Sequence, residues 1–567
     1  MLGWMSAIGA QRRTSSTVPW TRRNKTRLSA FGRRAGQISL FAAIRYALIG
    51  GLIVACVAYS FLRLITPIDD AKGAARIDVT RVALTVVAGV GGVVALVIAY
   101  RRQRDLEQSK FVERFGAAAA QLGATDVAVR IAGVYAMAGV ADETDGPRRQ
   151  QCIDVLCGYL RLPYSPALGG NHQTKDIRKY PAGERSGPEN EQHFEYRQND
   201  REVRTTIVRV IAEHLQPESE YAWSASNFDF RTAHLEVVGF DNVTISGIAR
   251  FDHATFIGGA QFSGATFAGT AWFHKTTFTG DTWFHKATFN GNTSFSEATF
   301  SGDTSFSEAT FSGDTSFSEA IFIGDASFSE ATFSSDTSFD KAMLSNDALF
   351  RGATFGGTTS FRSVTFTGNA WFHGASFDNS SWTWFHEAIF AGDAAFGGAT
   401  FTSDARLDRV TFTGGAWFQG ATFSRGSSFH EATFTKAASF SGATFTGDTW
   451  FYGATFTGDS SFEKAAFGSE ALFRGATFTE TTSFRSARFT GPAWFHGATF
   501  TGNASFAQVG FAGRTSFALV DFGSERVIFT EPRQWGPPPP EFDWSEGGEG
   551  KPANIEPAVW PPALATP

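Results

Sequence analysis

The chain has 567 residues, enough for several domains, and its net charge of −6 singles out no class of partner. Three cysteines exclude a disulfide framework. The composition is skewed in two ways: 59 phenylalanines, gathered mostly downstream of residue 250, and a basic amino-terminal end.

Residues 1–40 read as a basic, disordered arm; the first 45 residues carry nine Lys/Arg and neither Asp nor Glu. Residues 41–100 read as two transmembrane helices, at about 46–64 and 82–100. Residues 46–62 are uncharged between Arg45 and Arg63, and residues 82–100, "VALTVVAGVGGVVALVIAY", are followed by "RRQR". Each can cross a hydrocarbon layer about 30 Å thick as a helix, the shorter one with snorkelling arginines. Gly89, Gly91 and Gly92 let a partner helix approach closely. The connecting loop sets only Lys72 and Arg76 against Asp69, Asp70 and Asp78, whereas both outer flanks are rich in Arg. That bias predicts an integral, two-span protein of the cell membrane with its N- and C-terminal regions in the cytoplasm. A lipoprotein signal ending at Cys56 is the competing reading, but a lead of 45 residues is too long for it.

Residues 101–216 read as a cytoplasmic α-helical segment with a polar loop at 163–199. "SKFVERFGAAAAQLG" has helical apolar spacing and ends at Gly123. Asp126 is an N-cap candidate for the next helix, and Pro147 opens a third at a position where its missing N–H costs nothing. Val203, Ile207, Val210 and Ile211 share one face of a fourth. Cys152 and Cys157 are spaced unlike a zinc site and read as packed helix residues. The segment reads as a structural coupling between anchor and repeats.

From residue 221 to 529 the pattern changes. "FSEATFSGDTSFSEATFSGDTS", residues 295–316, is one eleven-residue phrase written twice. Large apolar residues recur at alternating steps of five and six, as in Phe251, Phe256, Phe262 and Phe267; of 50 such positions to Phe522, 48 are Phe and two are Leu344 and Leu407. "FDNSSWTWF", residues 377–385, carries two extra residues. A helix would scatter these rings around its axis, and an odd step on a flat strand would flip them between faces. The chain must therefore turn once per unit, as in a solenoid. The residue two before each large one is Ala, Thr, Ser or Val, so a small and a large side chain point inward together. Phe295, Phe300, Phe306 and Phe311 with Ala298 and Ala309 exemplify this core. Four sides make a 22-residue coil, giving about 13 coils and a rod roughly 60 Å long. The "x-G-D/N" step reads as the turn, with Gly free to take positive φ.

These units resemble pentapeptide repeats, whose usual phrase is A-(D/N)-(L/F)-x-x; "ATFSG" and "ATFTG" match it. The resemblance implies a mainly β fold, a right-handed quadrilateral β-helix. Alternate units such as "TSFSE" and "AWFHG" carry one added residue before them, which leaves the regularity of the corners open. The preceding helical stretch looks like the membrane-proximal region of actinobacterial membrane-anchored pentapeptide-repeat proteins.

The reading identifies no catalytic, cofactor-binding or metal residue and no enzyme. His274 and His285 follow inward rings on opposite sides of the rod and cannot share a metal. Trp272, Trp283, Trp371, Trp384, Trp417, Trp450 and Trp494 precede inward rings, face outward and are the candidate partner contacts; 272, 384, 450 and 494 share one face, and 283, 371 and 417 the opposite one. Asp and Glu recur every eleven residues. That raises duplex-DNA mimicry, a binder of a nucleic-acid enzyme such as gyrase, as the alternative function. About 60 Å of duplex carries roughly 35 charges, whereas residues 251–522 have 24 Asp/Glu against 14 Lys/Arg. Nucleic acid itself is not an expected partner. Ice binding through outward Thr266, Thr288, Thr310, Thr332 and Thr354 conflicts with a cytoplasmic location. Residues 530–567 read as a Pro-rich disordered tail. The expected function is a membrane-anchored scaffold or interaction surface for an unknown protein or for its own kind.

Overall fold

A computed structural model of the chain describes residues 49–50, 53–54, 56–57, 59–61, 64–65, 73–165, 175–180, 190–195, 199–378 and 382–565. The chain divides into two units, residues 1–113 and 114–567. The basic arm and much of the first expected span lie outside the described residues.

Helix α1, Gly73–Leu122, is 50 residues long and runs unbroken through both the second expected span and the helix expected to follow it. Among the described residues no helix is long and apolar enough to cross a membrane. Six side chains between residues 82 and 90 lie outside the described set.

Helices α2 (Val127–Asp142), α3 (Pro147–Leu160) and α4 (Asp200–His214) bury Val134, Met137, Ile153, Leu156, Ile207 and Ile211 among themselves. Asp126 caps α2 by accepting from the Ala128 and Val129 N–H groups at 2.7 and 3.4 Å, and Pro147 opens α3. A polar knot ties the three. Arg130 donates to Asp200 Oδ1 at 2.7 Å, Arg204 Nε donates to Asp200 Oδ2 at 2.8 Å, and Tyr159 donates its hydroxyl to the same carboxylate at 2.5 Å. Cys152 and Cys157 are fully buried in α3, and burial pushes their thiols up to about 11 and about 12. They stay protonated and unreactive at neutral pH.

The expected loop at 163–199 is partly structured. Strands β1 (Lys175–Tyr180) and β2 (Asn190–Glu195) form an antiparallel hairpin, with Lys175 opposite Glu195 and Lys179 opposite Glu191.

From Phe228 the chain winds as a parallel β-solenoid. Two of its four faces are 14-stranded parallel sheets, so it makes 14 coils rather than 13. Each coil contributes a strand of about two residues to each face. The first face holds strands such as Thr293–Ser294, the second Thr299–Phe300, the third Thr304–Ser305 and the fourth Thr310–Phe311. Register is 22 residues, Thr277 against Thr299 and Phe278 against Phe300. It widens to 24 within the repeat, where Ser360 pairs with Trp384 across the two-residue insertion, and it also departs at the two ends, with Phe228 against Ala249, Ala504 against Val527 and Gly510 against Gln534.

The rings stack in columns inside. Phe295 lies 5.0 Å from Phe317 at an interplanar angle of 2°, and Phe284 lies 4.9 Å from Phe306. The columns of the first and third faces meet edge to face, as Phe295 meets Phe306 at 5.2 Å and 76°. Phe295, Phe300, Phe306, Phe311, Ala298 and Ala309 are all 0–1% exposed. Buried hydroxyls at the small positions are satisfied locally, as Thr293 Oγ1 donates to the Gly291 carbonyl at 3.2 Å.

The corners differ from expectation. Positive φ falls on the residue two after the inward ring, Glu297 (56°) and Glu308 (57°) among them, and not on Gly302 or Gly313. Those glycines are required by crowding: a Cβ on Gly313 would meet the Gly291 carbonyl carbon at 2.6 Å.

Both ends are covered. Leu215 accepts from the Thr244 N–H at 2.9 Å, and the buried Trp223 donates Nε1 to Asp142 at 2.9 Å, so the helices close the first coil. At the other end the expected disordered tail is instead a cap. Phe542 stacks on Phe517 at 4.8 Å, Trp560 meets Phe529 edge to face at 5.8 Å, and Ile555 pairs with Val527 in a further strand. Without a cover the last rings of the columns would face solvent; the tail supplies the rings that bury them, leaving Phe517, Phe522 and Phe529 at most 5% exposed.

Candidate interaction surface

The outer surface follows from strand alternation: on the first and third faces, the residue before each inward ring points outward. On the first face this column reads Trp272, Ser294, Ser316, Ser338, Ser360, Trp384, Arg406, Ser428, Trp450, Leu472, Trp494. Trp283, Trp371 and Trp417 occupy the same column on the third face. Trp272 and Trp283 are 38% and 39% exposed; Trp371, Trp384, Trp417, Trp450 and Trp494 are half-buried.

The first face brings several of these residues together. Between Trp272 and Trp384 four serines leave a shallow trough of about 510 Å³. Its floor is a hydroxyl ladder: Ser294 donates to Ser296 at 3.1 Å, Ser296 and Ser316 share a bond of 2.8 Å, and Ser318 and Ser338 share another of 2.8 Å. Asp340 continues it by accepting from Ser360. Asp314, Asp336 and Asp340 line the trough.

Beyond the trough the face rises. The insertion places Trp382 outward, 38% exposed and stacked on Trp384 at 5.3 Å. Arg362 lies over the Trp384 ring at 4.1 Å, and Arg406 lies between Trp382 at 5.0 Å and Trp450 at 5.2 Å. Neither guanidinium has an ion-pair partner among the described residues. Such cation–π stacks hold both groups in fixed positions. Sequence reasoning missed Trp382, Arg362 and Arg406. The signal for them was the insertion itself, where "WTW" sets two indoles two apart on one face.

The third face is less organised. Trp371 has Arg351 over its ring at 4.9 Å and donates to Asp347 at 3.4 Å, which pins it to its own coil. His274 lies on the first face and His285 on the third, each beside a glutamate, Glu297 and Glu308. Among the described residues no group of three His, Cys, Asp or Glu could hold a metal ion. The recurring aspartates serve the corners: Asp303 Oδ1 accepts from the Asp325 N–H at 3.0 Å, and Asp325 Oδ1 from the Asp347 N–H at 3.2 Å. The glutamate column is partly neutralised, with Lys275 3.2 Å from Glu297 and Lys286 3.4 Å from Glu308. The arrangement offers recognition by stacked indoles and guanidiniums.

Neither a curated protein nor a solved structure matches the chain. The family model for pentapeptide repeats does, in nine copies between residues 240 and 510. Those copies fall on the 22-residue coils whose inward rings and small partners are described above, and the solenoid is a pentapeptide-repeat domain.

Proposed function

We propose that this chain is a non-enzymatic scaffold, anchored in the membrane by two helices and presenting its solenoid to partners on the cytoplasmic side. The cluster of Trp382, Trp384, Arg362, Arg406 and Trp450 carries the reading. Trp, Tyr and Arg dominate the energy of protein interfaces, and here the two-residue insertion coincides with a close grouping of them on one face. Stacking fixes the side chains beforehand and lowers the entropy cost of docking. The anchor rests on the uncharged run at 82–100 and the arginines after it. The carboxylate columns are largely engaged by backbone N–H groups and lysines, which weakens the duplex-mimic alternative.

Fractionation of cells expressing the full chain tests the anchor. The chain is expected to sediment with membranes and to resist alkaline extraction; recovery in the soluble fraction overturns it. Proximity labelling tests the surface. Changing Trp382 and Trp384 to Ser is expected to remove the labelled neighbours, and an unchanged pattern overturns the assignment.

A further inference from the structure

We infer that the first face of the solenoid is a homodimer interface, in which two copies pack antiparallel with the Trp–Arg ridge of one seated in the hydroxyl trough of the other. The inference rests on the scaffold reading and names its partner as a second copy of this chain.

Shape comes first. The trough occupies the coils of Ser294 to Ser360, and the ridge occupies the next coils, from Trp384 to Trp450. They lie end to end on one face and span about four coils each. A two-fold axis between Ser360 and Trp384, lying in the plane of contact, exchanges them. Trp450 of each copy then covers the Ser294 end of the other's trough, and Arg406 comes opposite Ser338. Such an isologous contact is self-complementary and closed.

Charge agrees. Arg406 has no carboxylate partner among the described residues, while the trough is lined by Asp314, Asp336 and Asp340, with Arg362 at its ridge end. In the exchanged arrangement Arg406 comes beside Asp336 and Asp340. Asp336 is exposed and gives one carboxylate oxygen to the Thr358 N–H at 2.8 Å.

Spacing agrees as well. Both partners are built on the same coil repeat, so outward residues of one copy stay in step with those of the other along the whole contact. Eight coils at about 4.8 Å each, on a face roughly 15 Å wide, bury about 600 Å² per copy. The total of about 1,200 Å² stands at the lower edge of stable pair interfaces. A micromolar dimer is therefore expected.

The test is the mass of the full chain, purified in mild detergent if it is extracted from membranes, at up to about 50 μM. The expected protein mass is twice 61.3 kDa. Arg406→Asp is expected to weaken the dimer at least tenfold, and Asp336→Arg to do the same. Combining both in one chain is expected to restore it, because the pair is then reversed and not lost. Trp371→Ala on the third face is expected to leave the mass unchanged. Circular dichroism of every variant should match the parent. A monomer at all concentrations, or a dimer indifferent to Arg406→Asp, overturns the inference. A monomer from which Arg406→Asp releases a different co-purified protein also overturns it but leaves the scaffold reading standing. If neither mass nor co-purification responds, both fall.

Discussion

Gly302 lies against Gly280, one coil below it: a Cβ on Gly302 would stand 2.6 Å from the Gly280 carbonyl carbon. Asp281 Oδ1 would stand nearer, at 2.5 Å, and can turn aside, but the Asp281 nitrogen and the Gly280 carbonyl carbon, both at 2.6 Å, are backbone and cannot. Gly302→Ala is therefore expected to force the coils apart and to cost about 1–3 kcal/mol, read as a lower urea midpoint. Glu297 is the contrasting case. It sits at φ 56°, a conformation that costs a non-glycine residue roughly 1–2 kcal/mol. Glu297→Gly relieves this, is partly offset by the freer unfolded chain, and is expected to be neutral or to stabilise by about 0.5 kcal/mol.

That contrast marks how far the sequence could be read. Inward Phe and its small partner were legible, because side-chain alternation is local and 48 of 50 positions obey it. The corner was misassigned, because Gly302 answers to an atom 22 residues away and not to its own turn. Trp384 and Trp450 could be placed on one face by counting. Arg406 lying between Trp382 and Trp450 could not, because the insertion resets the register only once the coils are stacked. The tail was opaque for the same reason. Its prolines predict disorder, but Phe542 and Trp560 have the last open rings of the solenoid to cover.

Phe306 stacks between Phe284 at 4.9 Å and Phe328 at 5.1 Å and is fully buried. Phe306→Ala opens a cavity in a closed column and is expected to cost about 3–5 kcal/mol. Leu already serves at 344 and 407 with no exposure. Phe306→Leu is therefore expected to cost only about 1 kcal/mol. Equal losses from the two variants, measured by thermal melting, would contradict the stacked core.

Asp200 neutralises two guanidiniums, Arg130 and Arg204, and accepts from Tyr159. Removing it leaves buried positive charges facing one another. Asp200→Ala is expected to cost about 3–5 kcal/mol and to melt α2–α4 before the solenoid. A single, undisturbed transition would show that the knot contributes little.

Trp560 meets Phe529, Phe542 and Trp544 edge to face, at 5.8, 5.1 and 5.6 Å. Ending the chain after Thr530 exposes those columns together with strand edges that pair readily with other chains. The shortened protein is expected to melt earlier and to form end-to-end aggregates that grow with concentration. Light scattering identical to that of the full chain would refute the capping role.

His234 provides the pH dependence. It stands in the first coil, and its pKa is lowered from 6.5 chiefly by burial, with Arg204 adding to the effect and Glu236 opposing it. The folded chain thus keeps the imidazole neutral where the unfolded chain protonates it. Below about pH 6.5 the unfolded state binds more protons, so this contribution to stability is whole above that pH and declines as the pH falls toward the folded value. Asp229 behaves alike further down. Its pKa is held below 3.8, chiefly by a hydrogen bond from Arg231, so its contribution is lost only in stronger acid. Melting temperature is therefore expected to fall in two windows, one beginning near pH 6.5 and one below pH 4. His234→Gln, which cannot titrate, is expected to flatten the upper window and leave the lower one; a profile that the substitution does not change would assign the upper window to another group.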